Sequence, residues 1–168
     1  MTAPAYYARI TDLGLVRLAA AQYSGVPLVF AHVAVGDGNG SPITPSPSMT
    51  ALVHERARVA VNNTAISPDA PHVLRVEGRI PSDVGGFTIR EAGLFNVAGE
   101  LIVVASYPPT YKPEPADGVT VEEYVRVLVE YAAVEAVQLT TDPSVVTATL
   151  RDVEDATAGG LWLFYNFT

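Results

Sequence analysis

Residues Val84 to Phe95 read VGGFTIREAGLF. Two glycines open the stretch. Phe87 and Ile89 then fall on one side of an extended chain, Thr88 and Arg90 on the other. A period of two marks a half-buried β-strand. Glu91 breaks the pattern, because it falls on the side of Phe87 and Ile89, where an apolar side chain is expected. As chemistry, Glu91 would act with a second acid, Asp83 or Asp37, in a glycoside hydrolase. As structure, it would take N–H donors from an arginine or from backbone near the Ala92-Gly93 break, and so pin the register of the strand. Unpartnered charge inside a core is strongly unfavourable, so the structural reading is the expected one. It requires Glu91 to be buried and hydrogen-bonded.

Working outward, further strands follow. LFNVAGELIVVAS (Leu94 to Ser106) reads as a hairpin around Val97-Ala98-Gly99. ERARVAVNNTAIS and HVLRVEGRI alternate like half-exposed strands, with Pro68-Asp69 turning the chain between them. LVFAHVAV (Leu28 to Val35) is a nearly continuous apolar run, as in a strand buried on both faces. EYVRVLVEYAAVEAVQL, from Glu123, reads as two strands with a bend. Gly36 to Ser48 and the Pro-rich Tyr107 to Gly118 read as loops.

Two helices are expected. Thr11-Asp12 caps LGLVRLAAAQ, with Leu15, Leu18 and Ala19 on one face, Gly14 as a weak point and Gly25 as the stop. Asp142 caps a second helix, with Pro143 at its first position and a stripe of Val146, Leu150 and Val153. After Gly159-Gly160 comes LWLFYNFT, an apolar strand belonging either to the core or to a groove on a neighbouring chain. The expected class is α+β: an antiparallel β-rich single domain with an N-terminal helix and a C-terminal helix followed by a short apolar strand. Residues 1–157 form the domain, and 158–168 form a Gly-Gly joint with an apolar tail.

The chain has 168 residues, 49% of them hydrophobic, which suits one domain with one core. It has no cysteine, so disulfides, thiolate metal sites and cysteine nucleophiles are excluded. Nine arginines and one lysine are scattered against a net charge of -8. Neither a nucleic-acid partner nor an anionic membrane fits that pattern. The apolar runs are too short to span a bilayer, and no secretory signal is visible, so folding in the cytoplasm is expected.

Catalytic and ligand motifs are weak. His32, His54 and His72 have no spacing that assembles a metal site. GDGNG lacks the ending of a P-loop and the oxygen donors of a calcium loop. No cofactor is expected. Aromatic residues Tyr107, Tyr111, Trp162 and Tyr165 offer a second reading, stacking on sugar rings in a carbohydrate-binding receptor-recognition module.

Five stretches stand in order: YYARITDLGLVRLAAA, VAVGDGNGSPITPSPSMTALV, IPSDVGGFTIREAGLF, ELIVVASYPPTYKP and DPSVVTATLRDVED. Together, over about residues 5 to 155, they resemble the N-terminal domain of contractile-tail bacteriophage tail fibres, the phage tail-collar fibre family. The resemblance implies a non-enzymatic virion protein, assembled in the host cytoplasm, which anchors fibres to a phage baseplate protein as a homotrimer. Gly85, Gly86, Arg90, Glu91, Gly93, Tyr111, Lys112 and Pro113 match the family's pattern, which implies fold determinants. The end of the chain soon after the second helix leaves no room for a receptor-binding tip. The expectation is therefore a baseplate-proximal fibre or an adaptor. Val146, Leu150 and Val153 would pack on the domain or along a three-fold axis. Leu161, Trp162, Leu163, Phe164, Tyr165 and Phe167 would engage a neighbour or a distal fibre chain.

Overall fold

The computed structural model describes residues 6–131, 137 and 140–141. Strands β1 (Ala8–Ile10), β2 (Phe30–Gly36), β3 (Glu55–Ser67), β4 (Ala70–Ile80), β5 (Phe87–Asn96), β6 (Leu101–Lys112), β7 (Glu123–Glu130) and β8 (Thr140–Thr141) build one antiparallel sheet. Its order is β1-β6-β5-β2-β3-β4-β7, with β8 on β3. Helix α1 (Asp12–Ser24) is the one α-helix among the described residues. The class is therefore antiparallel β with a single packed helix, and the α+β expectation is corrected. The expected C-terminal helix and the segment 158–168 lie outside the described residues.

The sheet curls because β3 hands over between partners. Its first half pairs with β2 (His32↔Ala60 to Gly36↔Glu55) and its second half with β4 (Val61↔Gly78 to Ser67↔Ala70). The curl brings edge strands β1 and β7 into contact. Gly78 lets the layers meet, since a Cβ there would lie 2.8 Å from Val33 Cβ. The concave side holds the main core, with Val33, Val35, Leu74, Val76, Ile80, Ile89, Leu94, Ile102 and Val125 among its members.

A second cluster lies outside this core: Ala34, Leu52, Phe95, Leu101 and Val104, with Ile43 and Met49 packed against it. Ala34, Phe95, Leu101 and Val104 come from β2, β5 and β6, and Leu52, Ile43 and Met49 come from the 37–54 segment that packs on them. Strand β2 and the adjoining parts of β5 and β6 are thus covered on both faces, which is why LVFAHVAV and LIVVA read as nearly continuous apolar runs. Strand β7, buried on one face only, alternates Val125, Val127 and Val129 with exposed Tyr124, Arg126 and Leu128. Of the second strand expected after its bend, only the bridge of Val137 to Leu28 and the short β8 fall within the described residues.

Helix α1 starts where expected. Thr11 Oγ1 accepts Gly14 N–H at 2.9 Å and donates to Leu101 O at 2.7 Å, and Gly25 closes the helix at φ 71°. Its buried face differs from the expected one. Gly14, Leu18 and Ala21 are buried, whereas Leu15 is 49% exposed. Gly14 is a point of close approach, because a Cβ there would overlap the carbonyl oxygen of Ile102.

Strand β6 also runs further than its prolines suggest. It continues through Pro108 and Pro109 to Lys112. The register with β5 jumps from Ile89↔Thr110 to Glu91↔Ser106, so Tyr107 to Pro109 bulge out of the ladder. Proline has no N–H to lose there.

Candidate functional site: the Arg90–Glu91 node and the loops it holds

The same register shift answers the parity of Glu91. Phe87 and Ile89 face the main core, and beyond the shift Ala92 and Leu94 do so. Glu91 is turned to the other face, under the 37–54 segment, and is fully buried. Oε2 accepts Val53 N–H at 2.8 Å, and Oε1 accepts His54 N–H at 2.8 Å and Gly38 N–H at 3.3 Å. The donors are backbone groups from both ends of one loop. Gly36, paired with Glu91 in the ladder, leaves room for the carboxylate, since a Cβ would overlap Oε1.

Arg90 serves the same loop, donating from Nη1 to Asp37 O at 3.4 Å. Asp37 then ties the loop's two ends together. Its Oδ1 accepts Asn39 N–H at 2.9 Å and lies 2.7 Å from His54 Nδ1, and its Oδ2 accepts from Arg56 at 3.2 Å. Burial pushes the Asp37 carboxyl up. The His54 and Asn39 hydrogen bonds and the His54 and Arg56 charges outweigh it, so the group sits below its usual range. Gly93 completes this side: a Cβ would lie 2.8 Å from Leu101 Cδ1 and 3.0 Å from Leu52 Cδ2.

A second node holds the 113–122 loop. Lys112 is fully buried and its Nζ donates to the carbonyls of Val121 and Pro113. Gly86, at φ 78°, donates its N–H to Lys112 O at 2.8 Å. Gly85 lies so close to Pro113 that any Cβ would overlap its carbonyl. Tyr111 Oη donates to Asp117 Oδ2 at 2.7 Å; that bond raises the tyrosine's pKa and lowers the aspartate's.

The arrangement suits immobilisation. Glu91 is enclosed and saturated with N–H donors. Asp37 is engaged by its own loop, and Asp83 is exposed in the turn before β5. No water-accessible acid pair of the kind a glycosidase requires is formed by these three. His32 lies on β2, His54 is with Asp37, and His72 is 3.6 Å from Glu130. Among the described residues no group of three metal-binding side chains converges, and no helix is long and apolar enough to cross a membrane. Tyr111 is exposed with its hydroxyl tied to Asp117, and Tyr107 is half-buried. A cleft of about 600 Å³ opens at the β1–β7 seam, lined by Tyr7, Arg9, Ile10, Leu15 and Val129 among others. Val146, Leu150, Val153, Leu161, Trp162, Leu163, Phe164, Tyr165 and Phe167 lie outside the described residues.

Sequence reasoning did not pair Asp37 with His54, and it named Lys112 only as a fold determinant implied by the family resemblance, without the burial of its amine. Lys112 is the one lysine of the chain, and it falls in the Pro-rich stretch that reads as a loop in the sequence. For the pairing of Asp37 with other side chains no local signal exists, because His54 and Arg56 stand 17 and 19 residues away.

Residues 2–151 match a family described as phage tail-collar fibre protein, N-terminal. The chain is also similar to a probable tail fibre protein of Escherichia phage P2, with 38% identity over 150 residues. That alignment covers 89% of this chain and 22% of the relative, so the chain spans about a fifth of the length of the curated relative it matches. No solved structure matches the chain significantly.

Proposed function

We propose a role from one premise: this chain belongs to the phage tail-collar fibre protein family and carries that family's N-terminal domain. It is a structural, non-enzymatic component of a phage tail, lying at the baseplate-proximal end of a fibre and joining that fibre to a baseplate protein. The family match over residues 2–151 carries this reading. The two loop-holding nodes support it. Side chains that elsewhere do chemistry are spent here on fixing backbone, which suits a surface that transmits load without changing shape.

Copies of the chain associate as a homotrimer in this reading. Val146, Leu150 and Val153 pack toward the assembly axis. Leu161, Trp162, Leu163, Phe164, Tyr165 and Phe167 contact a neighbouring or distal fibre chain. The support is their apolar pattern in the sequence.

The test is to locate an epitope-tagged chain in intact particles by electron microscopy. Label at the junction of fibre and baseplate is the expected outcome. Label at the distal fibre tip, or none on assembled tails, overturns the proposal.

A further inference from the structure

We propose that Asn39 is a site of spontaneous, irreversible modification, and that the Arg90–Glu91 node sets how fast its side-chain amide is lost. This chemistry belongs to the 37–54 loop and is independent of any attachment partner.

Of the five asparagines, Asn39 alone precedes a glycine; Asn63, Thr64, Val97 and Phe167 follow the others. Glycine has no side chain to block approach to its own nitrogen, so the Gly40 nitrogen can attack Cγ of Asn39. An N–Cγ bond forms, the Cγ–Nδ2 bond breaks, and Nδ2 leaves as ammonia with the Gly40 amide proton. The product is a cyclic imide. Water adds to one of its two carbonyls and opens the ring. Cleavage of the N–Cγ bond leaves aspartate in a normal backbone, and cleavage at the backbone carbonyl leaves isoaspartate. Asn39 and Gly40 are both exposed, so water and base reach them. A Cβ at Gly40 would meet nothing within 4 Å, so the ring has room. Asp37 and Asp117 also precede glycine. Each of those carboxyls is held below its usual range and stays ionised, which makes it a poor electrophile.

The folded loop withholds the geometry for this reaction. Asn39 has φ 54° and ψ 37°, a left-handed conformation that asparagine tolerates. That ψ turns the Gly40 nitrogen to the far side of the Cα–C bond from Cβ, whereas ring closure needs the two nearly eclipsed. Gly40 N–H is also donated to Asp37 O at 3.0 Å, and Asn39 N–H to Asp37 Oδ1 at 2.9 Å. The turn must open before the ring can form, and the node keeps it shut. Glu91 Oε1 accepts Gly38 N–H at 3.3 Å, Arg90 donates to Asp37 O, and His54 and Arg56 hold the Asp37 carboxylate. The rate at Asn39 therefore follows the open fraction of the loop.

Modification is one-way. Isoaspartate carries the chain through Cγ and adds a methylene to the backbone, so Gly40 N–H no longer meets Asp37 O. Either product also places a new negative charge beside the Asp37 carboxylate, and like charges repel. The modified loop then fails to reclose over Leu52, Ile43 and Met49. An opening long enough to react is thus recorded in the covalent structure.

The experiment incubates the full chain in mildly alkaline buffer, native and in urea, and follows each asparagine by peptide mass spectrometry. In urea, Asn39 should be lost before any other asparagine. In the native parent its loss should be at least about tenfold slower than in urea, and Glu91→Gln should recover much of that factor. His54→Ala alters a half-exposed side chain, keeps the fold and should also quicken the loss, so it serves even where Glu91→Gln does not fold. Deamidated chain, separated by charge, should be cut by protease between residues 38 and 53 faster than the parent. Equal rates in native and unfolded parent, or no quickening in either variant, overturn the control by the node. Earlier loss at Asn62, Asn63 or Asn96 overturns the choice of Asn39. A deamidated chain as resistant to protease as the parent overturns the failure to reclose.

Discussion

The Glu91 carboxylate accepts the backbone N–H of His54 at 2.8 Å across 37 residues of sequence. With the N–H groups of Val53 and Gly38 on the same carboxylate, one side chain closes both ends of the 37–54 loop onto β5. The covered strands stay dry on their second face because that loop is held down. Leu52, Ile43 and Met49 pack there only while it is.

Glu91→Gln tests this bond pattern. A glutamine keeps the volume but replaces one acceptor oxygen with a donor NH₂. In either orientation the NH₂ faces a backbone N–H that has lost its acceptor. We expect a loss of about 2–3 kcal/mol in urea unfolding, the cost of leaving a buried polar group without its partner. Limited proteolysis should cut first between residues 38 and 53. A variant as stable as the parent sinks the structural role of Glu91.

Acid should weaken the fold through Glu100 and Asp37. The Arg17 guanidinium, and then the Asn96 amide, hold the Glu100 carboxyl at about 2, against 4.5 for the free group. A carboxyl depressed in the folded state contributes stability that is complete above its unfolded value and lost as pH falls through its folded value. The Glu100 contribution is therefore lost from pH 4.5 down to about 2. Asp37, also depressed, gives way below its ordinary 3.8. Urea unfolding against pH should decline through this window, and Arg17→Met should flatten the part due to Glu100. An identical profile in Arg17→Met removes the assignment.

Much of this fold is legible in the sequence, and the misses share a cause. Strand alternation in β3, β4 and β7, the Thr11 cap and the Gly25 stop are local patterns, and they read correctly. The burial of Glu91 follows from its place in an apolar strand. Its donors do not, since they belong to a loop far away in sequence. Pro108-Pro109 looked like a loop because a bulge is defined by the partner strand, which one strand's sequence does not show. Gly14 looked like a weakness for the same reason: its meaning lies in Ile102, 88 residues on in the numbering. The α+β class weighted a second helix at 142–156 as heavily as the strands, whereas the described residues are dominated by one curled sheet.

Gly14→Ala should reverse the usual sign. Alanine ordinarily stabilises a helix interior by about 0.8–1.0 kcal/mol relative to glycine. Here the added methyl meets Ile102 O and lies 2.9 Å from Ile10 Cγ2. Overpacking of that kind costs about 1–3 kcal/mol, so the variant should unfold at lower urea than the parent. A stabilised variant means α1 does not sit against β6 as closely as described.

Lys112→Met separates anchoring of a loop from stability of the core. The side chain is fully buried, and its amine meets two carbonyls, from Pro113 and Val121. Methionine fills similar volume without a polar head. The desolvation that burial imposes on the amine disappears, and the two lost hydrogen bonds offset that gain. Replacing a buried charged group with a packed apolar one is often neutral, so global stability should shift by less than about 1 kcal/mol. The loop should respond differently. Residues 114–122 are mostly exposed, and the Lys112–Val121 bond is a tie between that loop and the end of β6. Hydrogen exchange should therefore quicken at the amides of residues 118–123 while those of β5 and β7 keep their protection. If exchange rises equally throughout the sheet, Lys112 supports the core itself and its part as a loop anchor is refuted.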